Sequence, residues 1–290
     1  MLLVLLSCCD CATSKTPKED KSNKLNINKI EFAVIRLIRV LSLFKVDSVI
    51  TFPEPMTIKD LLTSAAGVLM PRTCSVCGKP LELDEKFLCR RCLMDIPRTH
   101  YEDITFNAFD QLMAGKVPVE RCASYFFYHK SDPYASILHD IKYRNMPTLG
   151  RWLTERATRQ MLPSRFFDDI DAIVPVPLHY TKLASRGYNQ SQFLAQGISR
   201  AIGKPVVKAL KAVHEHSTQT HKDAAERMLN TQGMYAASRR HCRGLDGKHL
   251  LIVDDVVTTG STLLACATAL KAALPTARLS LFTLAAAQLE

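Results

Sequence analysis

Residues 250–262 read Leu-Leu-Ile-Val-Asp-Asp-Val-Val-Thr-Thr-Gly-Ser-Thr, and this stretch decides the fold. A continuous apolar run marks a strand buried on both faces of a parallel sheet, and Leu250 to Val253 fit one. Two adjacent carboxylates, Asp254 and Asp255, follow it, then two valines, then hydroxyls and a glycine. Apolar and helix-forming residues resume at Leu263-Leu264-Ala265, so the loop Thr258 to Thr262 runs into a helix N-terminus. Unpaired backbone N–H groups and the macrodipole favour a phosphate there. Two carboxylates beside a phosphate cradle suit a phosphorylated sugar, with acids on its hydroxyls and the loop on its phosphate. A Walker-type loop is excluded because no Gly-Lys-Ser/Thr follows the glycine, and a dinucleotide fingerprint lacks its other glycines. The competing reading is an ordinary strand-loop-helix with a solvated acidic pair.

A second constellation lies upstream. Cys74-Ser75-Val76-Cys77 and Cys89-Arg90-Arg91-Cys92 form two Cys-x-x-Cys knuckles separated by eleven residues. Four thiolates at this spacing supply a closed tetrahedral zinc site, structural because no coordination position stays open. Gly78 permits the tight turn that aims N–H groups at sulfur. A disulfide pair or a redox Cys-x-x-Cys is the rival, but a single redox motif does not account for two knuckles.

Strands alternate with helices through the rest of the chain, which indicates a parallel α/β sheet. Strands are expected at Ala123 to Tyr128, Asp171 to Leu178, Val206-Val207, and Leu279 to Leu284. Helices are expected from Pro133-Tyr134 to Lys142-Tyr143-Arg144, from Gly150 to Met161, from Phe193 to Ile202, and from Leu263 to Ala273. Residues between Arg98 and about Val119 read as a linker. Ligands of such sheets bind beyond the carboxyl ends of the strands, where Thr258 to Thr262 lie.

The run 250–262 resembles the phosphoribosyl-pyrophosphate (PRPP) motif of type I phosphoribosyltransferases at every position. The resemblance implies that Asp254 and Asp255 bind the ribose hydroxyls as the catalytic pair. It also implies that Val257, Thr258, Thr259, Gly260, Ser261 and Thr262 grip the 5-phosphate, and that magnesium enters with PRPP. From about Met56 to Leu284 the chain resembles the ComF family, also called competence protein F or GntX-type. The carriers are the double knuckle, Lys142-Tyr143-Arg144, Val174-Pro175-Val176-Pro177-Leu178, Arg186-Gly187-Tyr188-Asn189-Gln190, Thr218-Gln219 with Arg227 and Asn230, and the PRPP motif, in that order. The implied fold is a phosphoribosyltransferase-like parallel sheet flanked by helices, with a small four-cysteine zinc module in front. By the same resemblance, pyrophosphate binds at the loop after Val174, and a mobile loop around Thr218-Gln219 closes the site. Lys142 and Arg186 are the pyrophosphate-side candidates; Lys142 and Arg144 also read as an exposed helix end. Arg227 with Asn230 reads equally as a loop anchor, and His214, His216 and His221 as solvated loop histidines.

Domain organisation is expected to follow three segments: 1–55 an extension or mis-assigned start, 56–98 a helix plus the zinc module, and 120–290 the phosphoribosyltransferase-like domain. Met1 to Leu6 is followed by a lipoprotein-like Leu5-Leu6-Ser7-Cys8, yet it has no basic flank and falls short of the roughly 7–15 apolar residues of a signal core. Thr13 to Asn28 is polar and Lys/Asn-rich. Ile30 to Phe44 carries Arg36 and Arg39, too short and too charged for a membrane span. Met56 opens a helix-like stretch at Ile58-Lys59-Asp60-Leu61-Leu62, and translation is expected to begin there.

Of the ten cysteines, four belong to the knuckles, and Cys122, Cys242 and Cys266 read as isolated core fillers, so a cytoplasmic setting is expected. Net charge is +10 and uneven: His179 to His249 holds twelve Lys/Arg against four Asp/Glu. Such a surplus attracts a pyrophosphate-bearing substrate, or it forms a nucleic-acid surface. Two functions therefore stand side by side. One is a phosphoribosyltransferase whose acceptor the sequence does not reveal. The other is a binding module for DNA uptake, touching single-stranded DNA or a DNA-processing partner and using PRPP only as a ligand. The ComF resemblance implies the link to natural transformation. Phe87 is the one aromatic between the knuckles, thin for a base-stacking platform.

Overall fold

The computed structural model describes residues 72–213 and 233–287, all within the compact unit Leu62–Glu290. The expectations for residues 1–71, for the Thr218-Gln219 segment with Arg227 and Asn230, and for His214, His216 and His221 lie outside the described residues.

The first knuckle closes when Gly78, at φ +70°, turns the chain so that its N–H reaches the Cys74 carbonyl at 2.9 Å. The second opens helix α1 (Arg90–Met94), whose N-cap is the Cys89 side chain. After a 3-10 turn (Tyr101–Asp103) comes α2 (Ala108–Met113), capped reciprocally by Asn107 and Asp110. The main elements follow: β1 (Cys122–Tyr128), α3 (Ala135–Tyr143), α4 (Pro147–Met161), β2 (Ala172–Pro175), α5 (Tyr180–Arg186) and α6 (Gln190–Ile202). A short antiparallel ribbon, β3 (Leu210–Ala212) with β4 (Tyr235–Ala237), precedes β5 (His249–Val257), α7 (Ser261–Ala273) and β6 (Arg278–Ala287).

The main sheet runs β1-β6-β5-β2 with every pair parallel, so β5 is an inner strand flanked by β6 and β2. Leu250, Leu251, Ile252 and Val253 are fully buried, as a strand covered on both faces requires. Helix α6 packs on β2, β5 and α4, while α7 packs on β5 and the ribbon. At the amino ends of the strands Asp169 pairs with Arg121 and with Arg278 at 2.9 Å, and lies 3.1 Å from His249 Nδ1.

Several boundaries differ from the sequence reading, each for a local reason. The motif strand continues through Asp254 and Asp255 to Val257, because β6 offers pairing partners as far as Ala286. Helix α7 begins at Ser261, where Gly260 in the left-handed region (φ 70°) releases the chain from the loop. Val206-Val207 forms no strand of its own; Val206 makes a single parallel bridge to Ile173. The ribbon β3–β4 had no alternating pattern to betray it.

The largest difference concerns the stretch read as a linker. Pro97 and Arg98 run against β1, with Phe127 N–H to the Pro97 carbonyl at 2.8 Å, so the chain leaves the knuckles already joined to the sheet. Tyr101, Phe109 and Met113 are then buried, and Asn107 donates to the Tyr101 and Cys122 carbonyls. Cys122, Cys242 and Cys266 are buried free thiols, in line with their reading as core fillers.

Helices α4 and α6 approach so closely that a Cβ on Gly197 would overlap the Arg151 carbonyl oxygen and lie 2.9 Å from the Glu155 nitrogen. Both obstacles are backbone, which cannot rotate away. Gly197→Ala is therefore expected to destabilise the protein by ~1–3 kcal/mol through forced helix separation, read as a lower midpoint in denaturant unfolding.

Candidate functional site

Asp254 and Asp255 stand at the carboxyl end of β5, beside the loop that leaves β2. Pro175 pairs with Val253, and Val176 N–H reaches the Val253 carbonyl at 2.9 Å, which brings the two strand ends level. Adjacent strand residues point to opposite faces, so the two carboxylates meet different partners. Asp254 Oδ1 accepts from Ser191 Oγ and from the Asp255 N–H, both at 2.9 Å. Asp255 Oδ1 lies 3.1 Å from Lys142 Nζ, and its Oδ2 is buried without a hydrogen-bond partner among the described residues.

Two sequence motifs interlock to hold the cations here. Tyr188 donates its hydroxyl to the Ile141 carbonyl, fixing the last turn of α3 next to Lys142. The Arg186 guanidinium lies 5.4 Å from the centre of the Tyr143 ring and donates to Gln190 Oε1. Asn189 caps α6 with one side-chain atom and donates to the Val176 carbonyl at 2.9 Å with the other. Lys142, Lys182, Arg186, Ser191, Asp254 and Asp255 thereby share one cavity of about 250 Å³, into which Tyr235 and Thr262 also project.

A second hollow adjoins it, lined by Asp254 and by Val256 through Leu263. Helix α7 starts there with no side-chain cap on its first turn, so the N–H groups of Ser261 and its neighbours stay available to an anion. Thr259 Oγ1 donates to Ser261 Oγ at 3.2 Å. Gly260 packs against Met113 and Leu112 of α2, so the stretch read as a linker supports this loop from behind.

Burial, and then the charge of Asp255, push the Asp254 carboxyl up to about 7 against the pull of Ser191 and Lys142. The geometry thus offers an acid pair and three cations, Lys142, Lys182 and Arg186, around one cavity, with an uncapped helix start in the adjoining hollow. That set can hold a ligand with vicinal hydroxyls between two anionic groups.

Of the residues singled out in the sequence, Lys142, Arg186, Asp254, Asp255 and Thr262 come together in the larger cavity, while Val257 to Thr262 line the smaller hollow. Arg144 does not join them; it is exposed and pairs with the buried Asp140 at 3.3 Å. Ser191, Tyr143, Lys182 and Tyr235 were not foreseen. Ser191 follows directly on Asn189-Gln190, and that adjacency was the available signal.

The four knuckle cysteines form a separate cluster, with their sulfur atoms within 4.8 Å of one another. Cys89 N–H reaches Cys74 Sγ at 3.3 Å, and Cys92 N–H reaches Cys89 Sγ at 3.5 Å. Burial raises the Cys74 thiol, but N–H groups from Cys77, Cys89 and Val76 outweigh it and hold the group at about 7. Burial and the neighbouring sulfurs drive Cys92 far upward. Four thiols so disposed cannot all ionise unless a cation sits among them, which is the donor chemistry of a tetrahedral metal site.

Comparison with known proteins bears on the domain that carries this cavity. The phosphoribosyl transferase domain profile matches residues 164–288, from before β2 through β6. The DNA utilization protein YhgH of Escherichia coli is 28% identical over 193 residues, covering 65% of this chain and 79% of the relative. Competence protein F of Haemophilus influenzae is 30% identical over 142 residues, covering 47% and 60% respectively. Competence protein ComFC of Bacillus subtilis is 23% identical over 190 residues, covering 66% and 68%. These relatives and the domain profile together support the ComF resemblance. A solved structure of the allosteric regulatory enzyme of purine biosynthesis shows 20% identity and a TM-score of 0.30 over 46% of this chain and 26% of that one, too slight a likeness to add to the fold. Among the described residues no helix is long and apolar enough to cross a membrane.

Because the folded-state value of Asp254 lies above the unfolded one, the unfolded chain holds fewer protons between them, and stability falls as pH rises through that window. Asp254→Asn removes this penalty. It is expected to melt at least as high as the unaltered protein at low pH and several degrees higher once the pH passes 7. A pH series of thermal unfolding curves checks this.

Proposed function

We propose that the cavity is a PRPP–magnesium site and that this ComF-like chain transfers a phosphoribosyl group to a nitrogen acceptor, releasing pyrophosphate, in the service of DNA uptake or utilisation. One observation carries the reading: a buried acid pair at the end of β5 lies between the uncapped start of α7 and the cations Lys142 and Arg186.

In this reading Asp254 and Asp255 accept hydrogen bonds from the vicinal ribose hydroxyls and hold the sugar by its edge. The loop from Val257 to Thr262 supplies backbone N–H groups and hydroxyls to the 5-phosphate. Lys142 and Arg186 face the pyrophosphate. As the anomeric C–O bond breaks, its electron pair leaves with pyrophosphate, and these cations stabilise the charge that builds there. The carboxylates favour the positive charge left on the sugar. The acceptor nitrogen then forms the new C–N bond from its lone pair and loses its proton. Magnesium, when bound with PRPP, neutralises the pyrophosphate and makes it a better leaving group.

The DNA association comes from the relatives' names, DNA utilization protein and competence protein. A binding-module role is the second reading, favoured by a groove of about 560 Å³ beside Cys74 that Arg72, Lys86 and Arg144 line. Phe87 is taken up by Trp152, with ring centres 5.6 Å apart, so phosphate contact suits this groove better than base stacking. The cysteine cluster in this reading holds one structural zinc through Cys74, Cys77, Cys89 and Cys92. Its module joins α3 through Tyr134, whose hydroxyl donates to the Cys92 carbonyl at 2.9 Å.

Calorimetry with PRPP and magnesium tests the principal reading. Saturable binding is expected, together with its loss, on the order of a hundredfold or more, in Asp254→Asn/Asp255→Asn at unchanged fold; each carboxylate hydrogen bond contributes about 1.5–3 kcal/mol. Pyrophosphate release during a nucleobase screen then separates transferase from binding module. For the cluster, metal analysis of protein purified under reducing conditions is expected to give one zinc per chain. Cys74→Ser is expected to loosen the module first while the sheet domain keeps its cooperative transition.

A further inference from the structure

The two members of the acid pair are satisfied very differently. Asp254 is fixed by two hydrogen bonds, from the Ser191 hydroxyl and the Asp255 N–H. Asp255 is 5% exposed and lines the cavity, yet among the described residues one oxygen has no hydrogen-bond partner and the other meets the Lys142 ammonium at 3.1 Å. The Lys142 side chain is 20% exposed, so this pair is partly shielded from water. The backbone beside Lys142 is held at the Ile141 carbonyl, which accepts from the Tyr188 hydroxyl, and the neighbouring Tyr143 ring lies near the Arg186 guanidinium. What remains free to move is the four-carbon stem, which can swing its charge within the cavity without moving α3.

We propose that Lys142 is the stand-in cation of the acid pair. Its ammonium holds the place that a ribose hydroxyl donor or divalent cation takes when ligand enters, and ligand entry hands the ammonium over to an anionic group in the same cavity. Lys142 thus serves both states of the site: it balances Asp255 in the empty cavity and faces the pyrophosphate in the filled one. This rests on the reading of the cavity as a PRPP–magnesium site. It goes further by assigning an order to the exchange: the acids become available to ligand only as Lys142 departs.

The alternative is a purely structural ion pair that pins α3 to β5. The two ideas differ in sign. Removing a cation from beside two carboxylates must raise their affinity for another cation, because the repulsive and competing charge is gone. Removing a structural pin loosens the carboxylates and lowers it.

The decisive measurement is binding of Mn²⁺ alone, followed by electron paramagnetic resonance of the free ion, on the full chain. The proteins compared are the unaltered chain, Lys142→Met, Lys142→Gln, Lys142→Arg and Lys142→Met/Asp255→Asn. Both neutral variants are expected to bind Mn²⁺ on the order of tenfold more tightly, a modest share of the pairwise Coulomb interaction at an effective dielectric near 20. Lys142→Arg is expected to keep the original affinity, and the double variant to lose the gain. Binding of PRPP with magnesium is expected to move the opposite way, weakening about tenfold in Lys142→Met as one phosphate-facing cation is lost. Unchanged or weaker Mn²⁺ binding in both neutral variants would overturn the proposal. Failure of the unaltered chain to bind PRPP with magnesium would overturn the reading of the ligand instead, and the Mn²⁺ comparison would still decide the role of Lys142.

Discussion

Two neighbouring carboxylates at the end of a buried strand are the constraint around which this site is arranged. Burying charge is costly unless it is paired or hydrogen-bonded, and placing a second charge beside the first raises that cost. Ser191 comes from the first turn of α6, Lys142 from the last turn of α3, and the Asp255 N–H from the strand itself. Even so, Asp254 is held near 7, and one oxygen of Asp255 stays unpartnered among the described residues. At the carboxyl end of the sheet two acids thus share one nearby lysine, whereas at the amino end a single acid, Asp169, is paired with both Arg121 and Arg278. A site that stabilises a ligand at the expense of the empty fold has this imbalance.

Geometry reaches the acids through hydrogen bonds that the motifs make with each other. Tyr188 ties the loop after α5 to α3, Arg186 covers Tyr143, and Asn189 ties α6 to the end of β2. The two basic motifs are thus halves of one support around Lys142. The segment between the knuckles and β1 forms another support: α2 packs behind Gly260, and Asn107 joins it to β1. The cysteine module connects to the same framework through Tyr134 on the turn before α3 and through the Phe87–Trp152 contact. The thiol cluster and the cavity are separate, but both reach α3, through Tyr134 at its start and Lys142 at its end.

Much of this was legible in the sequence because the signals were local. The run from Leu250 to Thr262 specifies a buried strand, an acid pair and a helix start by adjacency alone, and the knuckle spacing specifies a four-sulfur cluster in the same way. The alternation of apolar strands and helices was enough to indicate a parallel α/β sheet with its ligand end at the strands' carboxyl termini. Gly260 was picked out as part of the phosphate-gripping loop; that its left-handed backbone and the close approach of Met113 also require a residue without a side chain came from the structure.

What only the tertiary structure decided were the pairings across long sequence distance. Lys142 and Arg144 sit two residues apart on one helix end and were indistinguishable by composition; the rotation of α3 turns the first to Asp255 and leaves the second in solvent with Asp140. Ser191 carries no signal as a lone serine, and it matters because the N-terminus of α6 lands on Asp254. Residues 99–119 lack a period long enough to read, since their short turns are stabilised by contacts with β1 and not by their own repeat. The sequence by itself determined which chemical groups this protein has and the strand end at which the acids are presented. Which cation faces which acid depended on helix rotation and strand register, because a side chain's partner is set by packing between elements far apart in the chain.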